Sequence, residues 1–393
     1  MTDLPAILGG TAAFDTQLPF ARPTLEDQSR VEKLIERSLS SGQLTDGPIT
    51  RALEEAAADR FGVANCVAVS SCTTGLLLVL QALGVDGSVG VPSFTFAATA
   101  HAIRWNGLEP HFLDCDPNTW CLTSETVEGQ ISALVAVHVS GVPCDVQRLE
   151  ESASKLGAPL VFDSAHGAGA SVSTDSGLRP LGGFGLAEVF SLTPTKVLSG
   201  AEGGLVTTND AALAEQIRVA RNYGNPGDYD TRFPGLNGRL SELHAALALV
   251  AFDYLEERVE HRNRVADRYR ALLGGVPGVG FQQVRQGDRS SYKDFTILVT
   301  DEFGCSRDQV VAALDAEGVA TRQYYSPPVH RQQAYADLPS RVLPVTEALG
   351  DQVISLPIWS HLPLGDVDRV ADTIRRIQDH AELVAGAPNQ HSA

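Results

Sequence analysis

The sequence predicts an α/β protein, a mostly parallel central sheet flanked by helices on both faces, with a smaller C-terminal α+β domain. Three observations predict it. Short, almost continuously apolar runs such as Cys66–Ser70, Leu134–His138 and Leu160–Asp163 have the pattern of strands buried on both faces. Helical stretches separate them at the rhythm of strand–helix–strand units. Past residue 250 a strongly charged helical segment leads out, and strands and helices follow in a new order. The division expected from this is a large domain over 1–250, including an N-terminal helical segment, and a small one over 251–393.

In chain order, an amphipathic helix is expected over Leu25–Leu39, then a Gly/Thr/Asp/Pro loop over Ser41–Pro48. A second helix, Ile49–Arg60, stops before Gly62, a residue suited to the left-handed position after a helix. Cys66–Ser70 reads as a strand running into a helix over Thr73–Leu83. Val89–Val91 is a short strand, Ala97–Trp105 a helix, and His111–Leu113 and Leu134–His138 are strands. Val146–Leu156 reads as a helix, and Leu160–Asp163 and Ala187–Leu192 as strands, with a return through Leu205–Thr208. One long helix is expected over Ser241–Leu273. Beyond it come a strand Phe295–Val299, a helix Arg307–Glu317, a strand Ala320–Tyr324 and a helix Val367–Ile377, with a frayed polar tail over Gly386–Ala393.

Composition narrows the class. The 393 residues are 43% hydrophobic and 20% charged, the balance of an ordinary globular protein. A chain of this length buries roughly three quarters of its unfolded surface. The net charge of −18 disfavours nucleic acid and anionic membranes as general partners, without forbidding a phosphorylated ligand in a local basic pocket. Apolar runs such as Leu76–Leu80 and Ala245–Phe252 fall well short of the roughly 20 residues of a membrane span. Met1–Pro5 lacks the basic start and apolar core of a secretory leader, so a cytoplasmic location is expected. The six cysteines are scattered without metal-ligand spacing, which predicts packed, reduced thiols and no metal.

The chemistry concentrates on Lys196. The strand Ala187–Leu192 enters a Ser/Thr/Pro turn, then Lys196, then a glycine-rich return through Gly203 and Gly204. A lone lysine at the mouth of a strand is ordinarily solvated. Here a second buried-type strand upstream ends in Asp163. A strand ending in an acid together with a strand–turn–lysine is what pyridoxal 5′-phosphate (PLP) needs: the amine forms the Schiff base, and the carboxylate keeps the pyridine nitrogen protonated. Ser70–Leu76 joins a strand to a helix and offers backbone N–H groups and hydroxyls to a phosphate. Taken alone, that segment is an ordinary Ser/Thr helix cap. Phe96, in Pro92–Phe96, offers a ring to stack on a flat cofactor, although phenylalanines after a strand are more often core. Ligands in such sheets gather at the carboxyl ends of strands, where Asp163, Thr73 and Phe96 all fall.

With these residues in place the chain resembles the DegT/StrS family of PLP-dependent sugar aminotransferases, which have the fold of the type I PLP-dependent transferases. The matching blocks run from Ser41–Pro48 through Val91–Asp116, Val137–Asp145, Phe162–Ala170, Phe190–Thr208, Gly235–Ala246 and Pro327–His330 to Leu356-Pro357. The resemblance implies that Lys196 is the Schiff-base lysine and proton shuttle and Asp163 the partner of the pyridine nitrogen. Thr73, Thr74 and Ser191 would hold the phosphate, Phe96 would stack on the ring, and His166 would contact it. Asn237 matches a loop that reaches the phosphate of a neighbouring subunit's cofactor, which implies a homodimer with shared sites. Tyr325 and His330 match a segment near the sugar.

Several positions depart from the family or stay open. Cys72 and Gly75 stand where Gly and Ala are common, His166 where Gln is frequent, and Ser326 where many members carry Tyr. Protonation of His166 could tune the site. Asn237 is also readable as a plain turn residue, Arg239 as a surface cation, and His138 as purely structural.

The activity implied is transamination in deoxyaminosugar biosynthesis, a branch of secondary metabolism: an amino group passes from L-glutamate to a keto group of a nucleotide-linked deoxysugar. The acceptor favoured is a dTDP-linked 4-keto-6-deoxyhexose, aminated at C4, with C3 amination close behind. Relatives that remove a sugar hydroxyl instead carry histidine at the position of Lys196, so dehydration is disfavoured. The alternatives are an L-glutamine-dependent aminotransferase acting on a keto-cyclitol of the scyllo-inosose type, and a non-catalytic PLP-binding regulator.

Overall fold

In a computed structural model, residues 4–387 are described. The chain opens with α1 (Gln28–Ser41) and α2 (Pro48–Phe61), then alternates β1 (Asn65–Val69), α3 (Cys72–Leu83), β2 (Ser88–Pro92), α4 (Ala97–Trp105), β3 (Glu109–Leu113), β4 (Ala133–Val137), α5 (Val146–Leu156) and β5 (Leu160–Asp163). A small hairpin, β6 (Ser171–Thr174) and β7 (Gly177–Pro180), precedes β8 (Ala187–Ser191), β9 (Gly204–Thr208) and α6 (Ala211–Ala220). Then follow α7 (Glu242–Asp253), α8 (Leu255–Leu273), β10 (Val279–Phe281), β11 (Phe295–Val299), α9 (Arg307–Ala316), α10 (Pro344–Gln352), β12 (Val353–Leu356), α11 (Leu364–Asp379) and α12 (Ala381–Ala385).

Seven strands form the main sheet in the order β1-β9-β8-β5-β4-β2-β3. Neighbours from β8 to β3 are parallel, and β9 runs against both β8 and β1. The mostly parallel α/β sheet expected from the sequence is therefore present. Its two faces divide by residue parity, as side chains alternate along a strand. Val67, Val135, Val161, Val189 and Val206 pack with Leu76, Ile103 and Ile217 on one face. Ala68, Leu134, Phe162, Phe190 and Leu205 pack with Leu53, Phe61 and Leu149 on the other. Burial on both faces explains why these strands read as unbroken apolar runs. Because β1, β2, β5 and β8 point the same way, their carboxyl ends share one edge, and the site lies there.

A second, antiparallel sheet, β10-β11-β12, backs a separate core of Phe295, Ile297, Tyr269, Ile354 and Ile374. Phe14 and Leu18 from the N-terminal stretch are part of that core. The buried carboxylate of Glu317 holds this stretch by accepting from the amides of Ala6 (2.7 Å) and Ala13 (2.8 Å). Among the described residues no helix is long and apolar enough to cross a membrane. All six cysteines are free, five of them buried.

Two expected elements differ. The helix over Ser241–Leu273 is two helices, broken at Tyr254 (φ −102°, ψ 2°). A one-residue break leaves the apolar spacing nearly in phase, so periodicity does not reveal it. The strand over Ala320–Tyr324 is reduced to one bridge, in which Arg322 and Ser355 exchange backbone hydrogen bonds (3.2 and 2.7 Å). Pro327 and Pro328, which follow, have no N–H with which to extend a ladder. The hairpin β6–β7 and the elements α6, α10, α12, β10 and β12 have no counterpart among the expected elements.

Candidate active site

Asp163 is the last residue of β5, placed by three buried apolar residues before it. Its side chain is only 5% exposed, yet both oxygens are satisfied: Oδ2 accepts from the Thr99 hydroxyl (2.7 Å) and Oδ1 from the Ala165 amide (3.0 Å). Cys72 Sγ is 3.9 Å from Oδ1. Burial pushes the Asp163 pKa up, and the Thr99 and Ala165 bonds and the charge of Lys196 pull against it. The site therefore holds a carboxylate that lacks a full counter-charge of its own. Replacing Thr99 with valine removes the hydroxyl at nearly constant shape. An expected loss of about 10-fold in transaminase kcat, the range for a hydrogen bond to a charged group, is checked by steady-state kinetics.

Lys196 follows β8 through a tight turn in which its amide donates to the Thr193 carbonyl (3.0 Å). The chain returns through Gly200, whose amide donates to the Leu192 carbonyl (2.8 Å), into β9. The Lys196 side chain enters the cavity half-buried. Burial, and next the charge of Lys293, push its amine down to about 8. A much larger fraction than for a solvated lysine is then the neutral nucleophile near physiological pH.

Both groups face a cavity of about 280 Å³, which Thr73, Phe96, His166, Ser191 and Tyr325 also line. Seven of the ten residues singled out from the sequence thus meet in one place. Phe96, the N-cap of α4, is 61% exposed, whereas Phe94 is core, edge-on to Tyr325 and Trp120. At the start of α3 the Ser71 hydroxyl accepts from the Thr74 amide (3.0 Å), leaving the first amides of the helix without intrahelical acceptors. Hydroxyls of Thr73, Ser191, Thr193 and Thr195 surround the same cavity. A Cβ at Gly204 would come within 2.6 Å of the Cys72 nitrogen, so only glycine lets β9 pass this close to the helix start. The combination is an anion cradle.

His166 Nδ1 is buried without a hydrogen-bond partner, an unsatisfied polar atom in the cavity wall. Burial, then the charges of Lys196 and Lys293, push its pKa well below the usual histidine range. The imidazole is therefore neutral, and the idea that its protonation tunes the site does not fit its surroundings.

Three predicted residues lie outside the cavity lining. The Thr74 hydroxyl is taken by Ser70 (2.9 Å) and Ser71 (3.0 Å). Asn237 is exposed, in a loop bridged to Asn222. His330 is tied to Ser93 Oγ through Nδ1 (2.6 Å), with Nε2 3.3 Å from Glu347. His138 is fully buried outside the cavity lining, stacked on Phe162, with Nδ1 accepting from the Cys144 amide (3.0 Å) and Nε2 3.7 Å from the Glu188 carboxylate. Thr99, Thr193, Thr195, Lys293 and Tyr324 were not singled out. Only for Thr99 is there a local signal, a hydroxyl one helical turn beyond Phe96.

The DegT/DnrJ/EryC1/StrS aminotransferase family matches residues 26–375. The dTDP-4-amino-4,6-dideoxy-D-glucose transaminase of Escherichia coli is 30% identical over 356 residues, covering 88% of this chain and 95% of that protein. A UDP-N-acetyl-3-dehydro-alpha-D-glucosamine 3-aminotransferase of Acidithiobacillus ferrooxidans is 35% identical over 333 residues, covering 83% and 88%. Among solved structures, DesI in the presence of its TDP-sugar product superposes with a TM-score of 0.90 at 37% identity, covering 97% of this chain and 98% of that one. With a family match over most of its length and these relatives alongside, the chain belongs to the DegT/DnrJ/EryC1/StrS aminotransferase family and is an aminotransferase.

Proposed function

We propose that the protein is a PLP-dependent enzyme that moves an amino group from L-glutamate to the keto group of a nucleotide-linked sugar, with a dTDP-4-keto-6-deoxyhexose aminated at C4 as its acceptor. The observation that carries this reading is the meeting of Lys196 and Asp163 in one cavity beside an anion cradle at the start of α3. The relative whose name specifies a 4-amino-4,6-dideoxy sugar and the structure determined with a TDP-sugar product support the choice of acceptor.

The residues present fit PLP. The start of α3 with Thr73 and Ser191 would hold its phosphate, Phe96 would cover its ring, His166 Nδ1 would gain a polar neighbour, and Asp163 would gain a cation at the ring nitrogen. Bound there, PLP supplies an electron sink for the pair released when the donor's α-proton leaves. Lys196, with its lowered pKa, would take that proton from the donor carbon and hold it for return. Asp163 holds a positive charge at the ring nitrogen through its own negative charge, kept in place by Thr99 and Ala165. We infer a homodimer as well, supported by the exposed Asn237 and the exposed rings of Tyr223 and Tyr229 on the same segment.

Incubation of the PLP-loaded protein with L-glutamate and dTDP-4-keto-6-deoxyglucose should release 2-oxoglutarate and an amino sugar, with the aminated carbon assigned by NMR. The 35% identity to a 3-aminotransferase favours a second reading, amination at C3, which a UDP-linked 3-keto sugar tests in parallel. If neither nucleotide sugar is aminated while scyllo-inosose is, with L-glutamine as donor, the nucleotide-sugar reading is wrong.

A further inference from the structure

Among the described residues the cavity holds one cation besides Lys196, and nothing above gives it a task. Lys293 stands two residues before β11 and is 5% exposed. Its ammonium lies 2.8 Å from Asp294 Oδ1 and 5.3 Å from the centre of the Tyr324 ring. The segment carrying it is fastened to the cavity wall. The Ser291 hydroxyl donates to the His166 carbonyl (2.6 Å), the Ser290 hydroxyl to the Gly141 carbonyl (3.0 Å), and the Arg262 guanidinium to the carbonyls of Tyr292 (3.0 Å) and Lys293 (3.1 Å).

A buried ammonium is costly unless paired, and one bond to Asp294 uses only one of its three N–H groups. Among the described residues no arginine lines the cavity. The amides and hydroxyls around the start of α3 are suited to a phosphate. A second anion entering the cavity, such as the carboxylate carried by every α-amino acid, has Lys293 as its one remaining cationic partner besides the reacting lysine. A cation fixed in place and shielded from water binds such a group without reorganising.

We propose that Lys293, held by Asp294, receives a carboxylate of the amino donor and turns the donor's α-carbon toward Lys196. This rests on the transaminase reading above. The same charge is the second cause of the lowered Lys196 pKa, after burial. One side chain therefore both anchors the donor and keeps Lys196 nucleophilic.

The test compares wild type, K293Q and K293R as PLP-loaded enzymes, following each half-reaction by stopped-flow absorbance. For K293Q the apparent Kd for L-glutamate should rise about 10- to 100-fold, the range for a lost charge-assisted bond, and K293R should recover most of it. The apparent Kd of the keto sugar, measured with protein loaded with pyridoxamine 5′-phosphate, should change less than about 3-fold, a small fraction of what one charged bond is worth, whereas the rates of both half-reactions fall with the raised Lys196 pKa. Two readouts avoid turnover. Calorimetry on the apoprotein with glutarate, which has both donor carboxylates and no amine, should show the same loss in K293Q. The pH midpoint for reductive methylation of Lys196 should move from about 8 toward the ordinary lysine value, because removing a neighbouring positive charge favours the ammonium. An unchanged glutamate Kd in K293Q, or an equal loss of affinity for glutamate and for the keto sugar, overturns the proposal while leaving the transaminase reading intact. A wild-type enzyme that responds to no amino acid overturns both.

Discussion

Replacing Lys196 with alanine abolishes amino-group transfer, with an expected fall of about 10⁴-fold in kcat, because a nucleophile and a positioned acid–base group are lost together. Burial lowers the lysine's pKa to about 8, so the wild-type amine is available without a separate base to activate it. Among the described residues the one other lysine lining the cavity, Lys293, stands on a different segment, before β11, and is ion-paired with Asp294 at 2.8 Å. The fold should survive, because Lys196 sits in a surface turn closed by backbone hydrogen bonds of Lys196 and Gly200 that alanine retains. Steady-state kinetics measures the loss. Borohydride reduction followed by peptide mass spectrometry should find PLP attached at Lys196 in the wild type and nowhere in the variant. Retention of activity in K196A would remove this residue from the reaction.

Replacing Asp163 with asparagine should lower kcat by about 10³-fold, within the range of a proton-transfer or charge-stabilising group, and leave the protein folded. Asparagine keeps the shape and one oxygen, for the Thr99 hydroxyl, but loses the acceptor for the Ala165 amide and the charge that would hold a proton on the ring nitrogen. Stability moves the other way. Burial raises the Asp163 pKa above the unfolded value. Its contribution is therefore greatest at pH below the ordinary carboxylate range and is lost as pH rises through the folded value. At neutral pH the apoprotein carries a disfavoured buried charge, so D163N should melt at the same temperature or higher, and its advantage should shrink in acid. Thermal denaturation at two pH values, alongside kinetics, separates this from a folding defect: low activity with a lowered melting temperature would count against a direct role.

How much of this could be read from the chain follows from how local each feature is. Strands such as Leu160–Asp163 are legible because burial on both faces leaves an apolar run, Asp163 because it closes such a run, and Lys196 because it follows one through a short Thr-Pro-Thr turn. The break at Tyr254 was not, since a single residue barely disturbs the helical phase. Thr74 looked equivalent to Thr73 in sequence, yet consecutive residues on a helix point 100° apart, and only Thr73 faces the cavity. His330 looked like a substrate residue beside two prolines, but Ser93 and Glu347, far away in the chain, claim its ring.

By itself the sequence determined the α/β architecture, the strand ends that carry the lysine and the acid, and the hydroxyl-rich helix start, because periodicity and the ends of apolar runs are written in neighbouring residues. The tertiary structure decided what surrounds them: Thr99 on Asp163, Lys293 near Lys196, His166 held neutral, and the N-terminal stretch fastened by Glu317. Those pairings join residues between 64 and 311 positions apart wherever a bond is formed. No local pattern records them, since they arise only when separate elements pack and buried polar groups must find partners.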